Sequence, residues 1–127
     1  MKKRVVAVVD DLFFAAKIRA TAEALGVPIE FARDADVLFE TARQEPPAVI
    51  LFDLHAQRLD PFALGARLKA DETLRAVTLI GFFSHMQTEL QQRARQAGFD
   101  RVMARSAFTK ELPELMRSAE RDEEDFI

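Results

Sequence analysis

The chain has 127 residues, 49% of them hydrophobic and 31% charged, which is the size and composition of one ordinary globular domain. It contains no cysteine, which excludes disulfides, thiolate metal sites and cysteine nucleophiles, and no apolar run approaches the roughly 20 residues of a membrane helix. Its net charge of -3 argues against nucleic acid as the main ligand. We therefore expect a cytoplasmic protein that binds neither nucleic acid nor membranes.

Five short apolar runs, each predicted to be a strand, alternate with five helical patterns. The runs at the first, third and fourth positions are apolar almost throughout, which is typical of parallel strands covered on both faces. The predicted strands span residues 4–9, 29–32, 48–52, 77–83 and 101–104. Strand and helix in regular alternation predict a doubly wound α/β domain, with a parallel sheet between two layers of helices.

The helix patterns are bounded by residue types that are common at helix ends. Gly26 is predicted to end the first helix. Asp34 or Asp36 is predicted to cap the second helix, and Asp60, followed by Pro61, to cap the third. Ser84 and Gln87 are spaced as a capping box for the fourth helix, and the last helix is predicted to begin near Thr109. We predict one domain over residues 1–120 and a frayed acidic tail over residues 121–127.

Three carboxylates, Asp10, Asp11 and Asp53, follow or end apolar strands. The ends of parallel strands meet at one edge of the sheet, and open α/β sheets bind ligands there. Either Asp10 or Asp11 could cap the first helix. Two carboxylates about 4 Å apart repel by roughly 1 to 4 kcal/mol, however, and a hard divalent cation would remove that cost. Oxygen ligands alone favour Mg²⁺ or a similar ion over zinc.

The same segments resemble the receiver domain of bacterial response regulators, of the chemotaxis-regulator type. The resemblance lies in Val-Val-Asp-Asp-Leu at 8–12, Val-Ile-Leu-Phe-Asp at 49–53, Ala-Gly-Phe-Asp at 97–100 and the fivefold alternation of strand and helix. It covers residues 4–120 and leaves no room for an output domain. It implies a flavodoxin-like fold with the strand order 2-1-3-4-5.

The resemblance also implies a function and a set of site residues. Asp53 would accept a phosphoryl group from a phosphohistidine, and Asp10, Asp11, Asp53 and the backbone carbonyl of His55 would bind Mg²⁺ or Mn²⁺. Arg105 stands where the family has a lysine that pairs with the phosphoryl group. The implied partners are a histidine kinase or phosphotransfer protein and a downstream protein that receives the signal.

Several positions depart from the family pattern, and most of them take part in signal readout there. Phe83 replaces a Thr or Ser, and Ser84 could substitute for that hydroxyl only if the strand end is bulged. Val102 replaces an aromatic residue, and the loop after the third strand lacks the family's Met-Pro. Ser106 stands where the family has a proline, which there usually follows a cis peptide bond. Since a non-proline cis bond costs about 2.5 to 4 kcal/mol, we predict a trans bond between Arg105 and Ser106 and a loop that takes a different direction from the family's.

We therefore predict a stand-alone receiver domain that takes a phosphoryl group on Asp53, signals by protein contact and has no enzymatic activity beyond its own phosphorylation and dephosphorylation. One alternative is a pseudo-receiver, an interaction module that does not switch by phosphorylation. A less favoured alternative is a metal-dependent phosphohydrolase, although no substrate-pocket motif is evident.

Two further expectations concern residues near the same edge. His55 and His85 would tune the lifetime of a phosphoaspartate, by resemblance, or less plausibly complete a metal site. Phe13, Phe14 and Phe83, if exposed together, would mark a partner surface. Homodimers would form through the helix at residues 86–97 and the last helix.

Overall fold

The predicted sheet is present. In the computed structural model the backbone is described for residues 4–84 and 87–124, and the side chains are described up to residue 117. The strands are β1 (Val5–Val8), β2 (Ile29–Phe31), β3 (Val49–Asp53), β4 (Thr78–Phe83) and β5 (Arg101–Ala104). All neighbouring strands are parallel, in the order β2-β1-β3-β4-β5. The doubly wound fold and the strand order are both confirmed.

Five helices connect or follow these strands: α1 (Leu12–Leu25), α2 (Ala35–Gln44), α3 (Pro61–Ala70), α4 (Thr88–Gln96) and α5 (Arg105–Glu124). Three predicted boundaries are confirmed. Gly26 ends α1 in the left-handed conformation, and the Asp34 and Asp60 side chains accept hydrogen bonds from the first turns of α2 and α3. No helix in the described part of the chain is long and apolar enough to cross a lipid bilayer.

The core lies in two layers, one on each side of the sheet. Because successive strand residues point to opposite faces, β1, β3 and β4 supply both layers. One layer, under α2, α3 and α4, includes Val8, Phe52, Leu79 and Phe83. The other layer, under α1 and α5, includes Ala7, Leu51, Ile80 and Phe82. Burial on both sides explains why the predicted central strands are almost wholly apolar.

Two predicted helix starts were wrong. The fourth helix begins at Thr88 after Gln87, which makes no side-chain cap, so Ser84 does not form a capping box. The last helix begins at Arg105, directly after β5, and not near Thr109. Phe108 is buried one turn before Leu112, so it extends the apolar stripe back to the strand. His85, in the segment before α4, lies outside the described residues.

The Arg105–Ser106 peptide bond is trans, as predicted. No loop follows it, because both residues are in the first turn of α5. The same helix continues to Glu124 and so includes residues 121–124 of the segment predicted as a tail, while residues 125–127 are outside the described part.

The Ala-Gly-Phe-Asp motif connects α4 to β5. Gly98 has a φ of 92°, a conformation that suits glycine, and Phe99 is buried. Asp100 Oδ2 accepts hydrogen bonds from the Leu79 amide at 2.7 Å and from Lys69 Nζ at 3.0 Å. The motif therefore fixes the entry of β5 beside β4.

Candidate functional site at the carboxyl edge of the sheet

The sheet brings the predicted site residues to one edge. Asp10 and Asp11 follow β1, Asp53 is the last residue of β3, and Arg105 follows β5. Since β1 pairs directly with β3, Asp10 lies near enough to Asp53 for its charge to raise the pKa of the Asp53 carboxyl. We define the acidic edge as Asp10, Asp11 and Asp53.

Asp53 is a partly buried carboxylate with one oxygen held in place. Its Oδ1 accepts a hydrogen bond from the backbone amide of His55 at 2.9 Å. Burial raises the pKa of Asp53 above its ordinary value of 3.8, and the neighbouring charge of Asp10 raises it further, while the His55 amide and the charge of Arg105 oppose the shift. Asp53 is therefore a carboxylate with increased proton affinity.

The substitution Asp53→Asn is expected to stabilise the folded domain at pH 7 in the absence of divalent ions. The folded pKa of Asp53 is raised, so the stability gained through its protonation is fully present below 3.8 and is lost as the pH rises through the folded pKa. Asparagine has no charge to bury, and its amide oxygen can still accept a hydrogen bond from the backbone amide of His55. The advantage of Asp53→Asn should thus be largest at pH 7 and vanish near pH 3 (about one unit below the ordinary pKa).

Urea unfolding with EDTA between those two pH values measures this difference. Asp11→Asn serves as a control of opposite sign, because the pKa of Asp11 is lowered. Its contribution to stability is present above 3.8 and is lost as the pH falls through the folded pKa. A variant Asp53→Asn that is no more stable than wild type at pH 7 would contradict the prediction.

Asp11 is the N-cap of α1. Its Oδ1 accepts from the amides of Phe13 at 2.9 Å and Phe14 at 3.2 Å. Its Oδ2 accepts from Nη2 of Arg105 at 3.1 Å. The bond from the Phe14 amide, followed by the bond from Arg105, lowers the pKa of Asp11. One of the two residues predicted as metal ligands thus also has the capping role that the sequence left open.

Asp10 binds the loop between β3 and α3. Its Oδ2 accepts from the backbone amides of Gln57 at 2.8 Å and Arg58 at 3.2 Å. Charge-assisted bonds of this kind are stronger than bonds between neutral groups. Asp10 therefore anchors the loop that departs from the family's sequence pattern, a contact for which the sequence gives no signal.

Arg105 is held between a carboxylate and an aromatic ring. Its guanidinium lies 4.1 Å from the centroid of Phe14, besides donating to Asp11. The side chains of Arg105 and Asp11 remain 38% and 39% exposed. Arg105 therefore lies at the acidic edge, where its predicted role places it, but it is paired with Asp11.

The acidic edge fits a hard divalent cation in chemistry but only partly in placement. Carboxylate and carbonyl oxygens are the ligands that Mg²⁺ and Mn²⁺ prefer. Among the described residues, however, no three histidine or acidic side chains are placed to hold a metal ion together. Both oxygens of Asp11 already accept hydrogen bonds, from the start of α1 and from Arg105. Asp10 and Asp53 each accept backbone hydrogen bonds through one oxygen.

The remaining predicted positions divide between core and surface. Phe83 is 3% exposed, and β4 pairs with β5 in a regular register through Phe83, without the bulge that Ser84 would need to replace it. Phe14 is buried as well, whereas Phe13 and Leu12 are 89% and 82% exposed. The three phenylalanines are therefore not exposed together, and the apolar surface at this edge is formed by Leu12 and Phe13.

No protein-family model matches the sequence, and no curated protein matches it significantly. Solved structures do match over almost the whole chain. The receiver domain of the sensor histidine kinase PA1611 from Pseudomonas aeruginosa is 20% identical with a TM-score of 0.78, covering 93% of this chain and 97% of that one.

Two response regulators match to a similar extent. The chemotaxis regulator CheY4 of Vibrio cholerae is 15% identical with a TM-score of 0.77, and 94% of this chain and 99% of that chain are covered. The phosphorylated cyanobacterial phytochrome response regulator RcpA is 18% identical with a TM-score of 0.75, with coverage of 95% and 93%. At such identities the likeness concerns the fold. The chain accordingly has the fold of a response regulator receiver domain, as its motifs predicted.

Proposed function

We propose that this chain is a receiver domain of two-component signalling and that Asp53 accepts a phosphoryl group. The observation that carries the proposal is the placement of Asp53, which is partly buried at the end of β3, beside Asp10, with one oxygen held by the His55 amide. The fold shared with receiver domains supports the assignment to this class of signalling protein.

The chemistry follows from the carboxylate. An oxygen of Asp53 attacks the phosphorus of a phosphohistidine, a P–O bond forms, the P–N bond breaks, and the imidazole nitrogen keeps the electron pair. The His55 amide fixes Oδ1 and so limits rotation of the attacking group. The raised pKa of Asp53 makes its carboxylate more basic and therefore more nucleophilic than an exposed one. The product is an acyl phosphate.

Asp10, Asp53 and the backbone carbonyl of His55 would hold Mg²⁺ or Mn²⁺, and Asp11 would join them by leaving Arg105. A bound divalent cation offsets negative charge on both the carboxylate and the transferring group. The receiver domain of PA1611 has a magnesium ion in its active-site cleft. The response regulator Rcp1, whose structure also matches this fold, has a manganese-bound form. Both support such an ion here. Arg105 would then be free to face the phosphoryl group.

The proposed partners follow from this chemistry. A histidine kinase or phosphotransfer protein in the cytoplasm would supply the phosphoryl group, and a downstream protein would recognise the altered domain. Pairing of two copies through α4 and α5 stays a prediction, and sedimentation of the purified domain tests it.

Phosphorylation is tested with acetyl phosphate and Mg²⁺, followed by intact-mass spectrometry. We expect wild type to gain the mass of one phosphoryl group and Asp53→Asn to gain none, because the amide cannot form the acyl phosphate. Asp36→Asn is the matched control, since this exposed carboxylate belongs to α2 and should leave the adduct unchanged. An adduct that persists in Asp53→Asn would place the acceptor elsewhere.

The second candidate function is a pseudo-receiver, which is favoured by the Asp11–Arg105 pair and by the buried Phe83. A folded wild type without any adduct, also when incubated with a phosphorylated histidine kinase, would support it. Repeated turnover of phosphate esters would instead support a phosphohydrolase.

A further inference from the structure

We propose that Arg105 and a divalent cation compete for the carboxylate of Asp11, so that Arg105 weakens metal binding at the acidic edge. The inference rests on the metal site of the proposed function and concerns the strength with which this chain holds the ion. It assigns Arg105 a role in metal affinity besides its proposed contact with the phosphoryl group.

The first support is the use of both Asp11 oxygens. Oδ1 receives the two amides at the start of α1, and Oδ2 receives Nη2 of Arg105 at 3.1 Å. A cation that binds Asp11 through Oδ2 must therefore either displace the guanidinium or bind beside it. Retaining both would place a positive charge next to a doubly charged ion, and this repulsion weakens binding.

The second support is the way in which Arg105 is held in place. Its guanidinium lies over the ring of Phe14. The centroid of this ring lies 5.0 Å from that of Phe82 and 5.9 Å from that of Phe108, and both of these residues are buried. Its backbone begins α5 directly after β5. The side chain therefore starts from a rigid base, and cation–π contact adds to the ion pair with Asp11.

Arginine is suited to this double contact. Its planar guanidinium can stack on a ring while its edge donates to a carboxylate, whereas an ammonium group is a compact point charge without such a plane. An arginine in place of the family's lysine thus changes the geometry of the cation and not only its size.

Isothermal titration calorimetry with Mn²⁺ and with Mg²⁺, without any phosphodonor, tests the proposal. Arg105→Met keeps an unbranched chain over Phe14 and removes the charge, and Arg105→Gln is a second neutral variant. We expect both to bind the ions about tenfold more tightly than wild type. Arg101→Met is the matched control, because Arg101 pairs with Glu111 at the opposite end of β5 and its loss should change the affinity by less than about twofold.

A double-mutant cycle separates competition for Asp11 from a general effect of charge. In the Asp11→Asn background, removal of Arg105 should raise the affinity by no more than about threefold. An equal gain in both backgrounds, or folded Arg105 variants that bind metal no more tightly than wild type, would overturn the proposal.

The readout is independent of phosphoryl transfer. Tighter metal binding by Arg105→Met that is largely lost in the Asp11→Asn background supports competition even if Asp53 takes no phosphate. Conversely, an adduct on Asp53 combined with unchanged metal affinity in the variants overturns the competition and leaves the proposed function in place.

Discussion

Replacing Phe83 by threonine, the residue type found at this position in receiver domains, is expected to lower the free energy of unfolding by about 3 kcal/mol. Phe83 is 3% exposed and belongs to the core layer under α3 and α4. Threonine would leave a cavity in that layer and would bring a hydroxyl into it. The substitution would therefore weaken the domain instead of restoring a signalling contact.

Urea denaturation monitored by circular dichroism measures this loss. Ser84→Ala, at the next position, is the control, and we expect a change within about 0.5 kcal/mol because Ser84 is exposed. A loss below about 1 kcal/mol for Phe83→Thr would mean that the core closes around the smaller side chain. Position 83 would then tolerate the family's hydroxyl after all.

A loss of about 4 kcal/mol is expected for Phe108→Ala. Phe108 is fully buried, and its ring stacks on that of Phe82 with the centroids 4.3 Å apart. Its ring also lies 5.9 Å from Phe14, whose ring supports Arg105. Alanine would remove the aromatic contacts and leave a cavity between α1, α5 and the sheet.

The measurement is again equilibrium unfolding, and Phe13→Ala is the matched control. It makes the same chemical change at a side chain that is 89% exposed, so its effect should stay within about 0.5 kcal/mol. Similar losses in the two variants would show that burial of Phe108 contributes little.

Most of the fold could be predicted because the pattern of apolar residues was unambiguous. The β5 strand was predicted with the bounds that the structure has, and Gly26, Asp34 and Asp60 marked helix ends through their local chemistry. The start of α5 was predicted near Thr109, a residue type common at helix starts, and this placed it one turn too late. The buried Phe108, at helical spacing from Leu112, was the signal that could have extended the helix.

The candidate site was predictable only in part. The topology places Asp10, Asp11 and Asp53 at one edge, and this much follows from the strand pattern. It does not follow from the sequence that Asp11 bonds to Arg105, 94 residues away, or that Asp10 holds loop amides 47 and 48 residues away. Such contacts depend on side-chain directions, which spacing along the chain does not determine.

The direct passage from β5 into α5 has a mechanical consequence. A helix of 20 residues is about 30 Å long, and Arg105 is the first residue of α5. If Arg105 changes its partner and the whole helix tilts by only about 2°, its far end is displaced by about 1 Å. An exchange of ion pairs at the acidic edge would then change the position of the distant end of α5, without any rearrangement within the sheet.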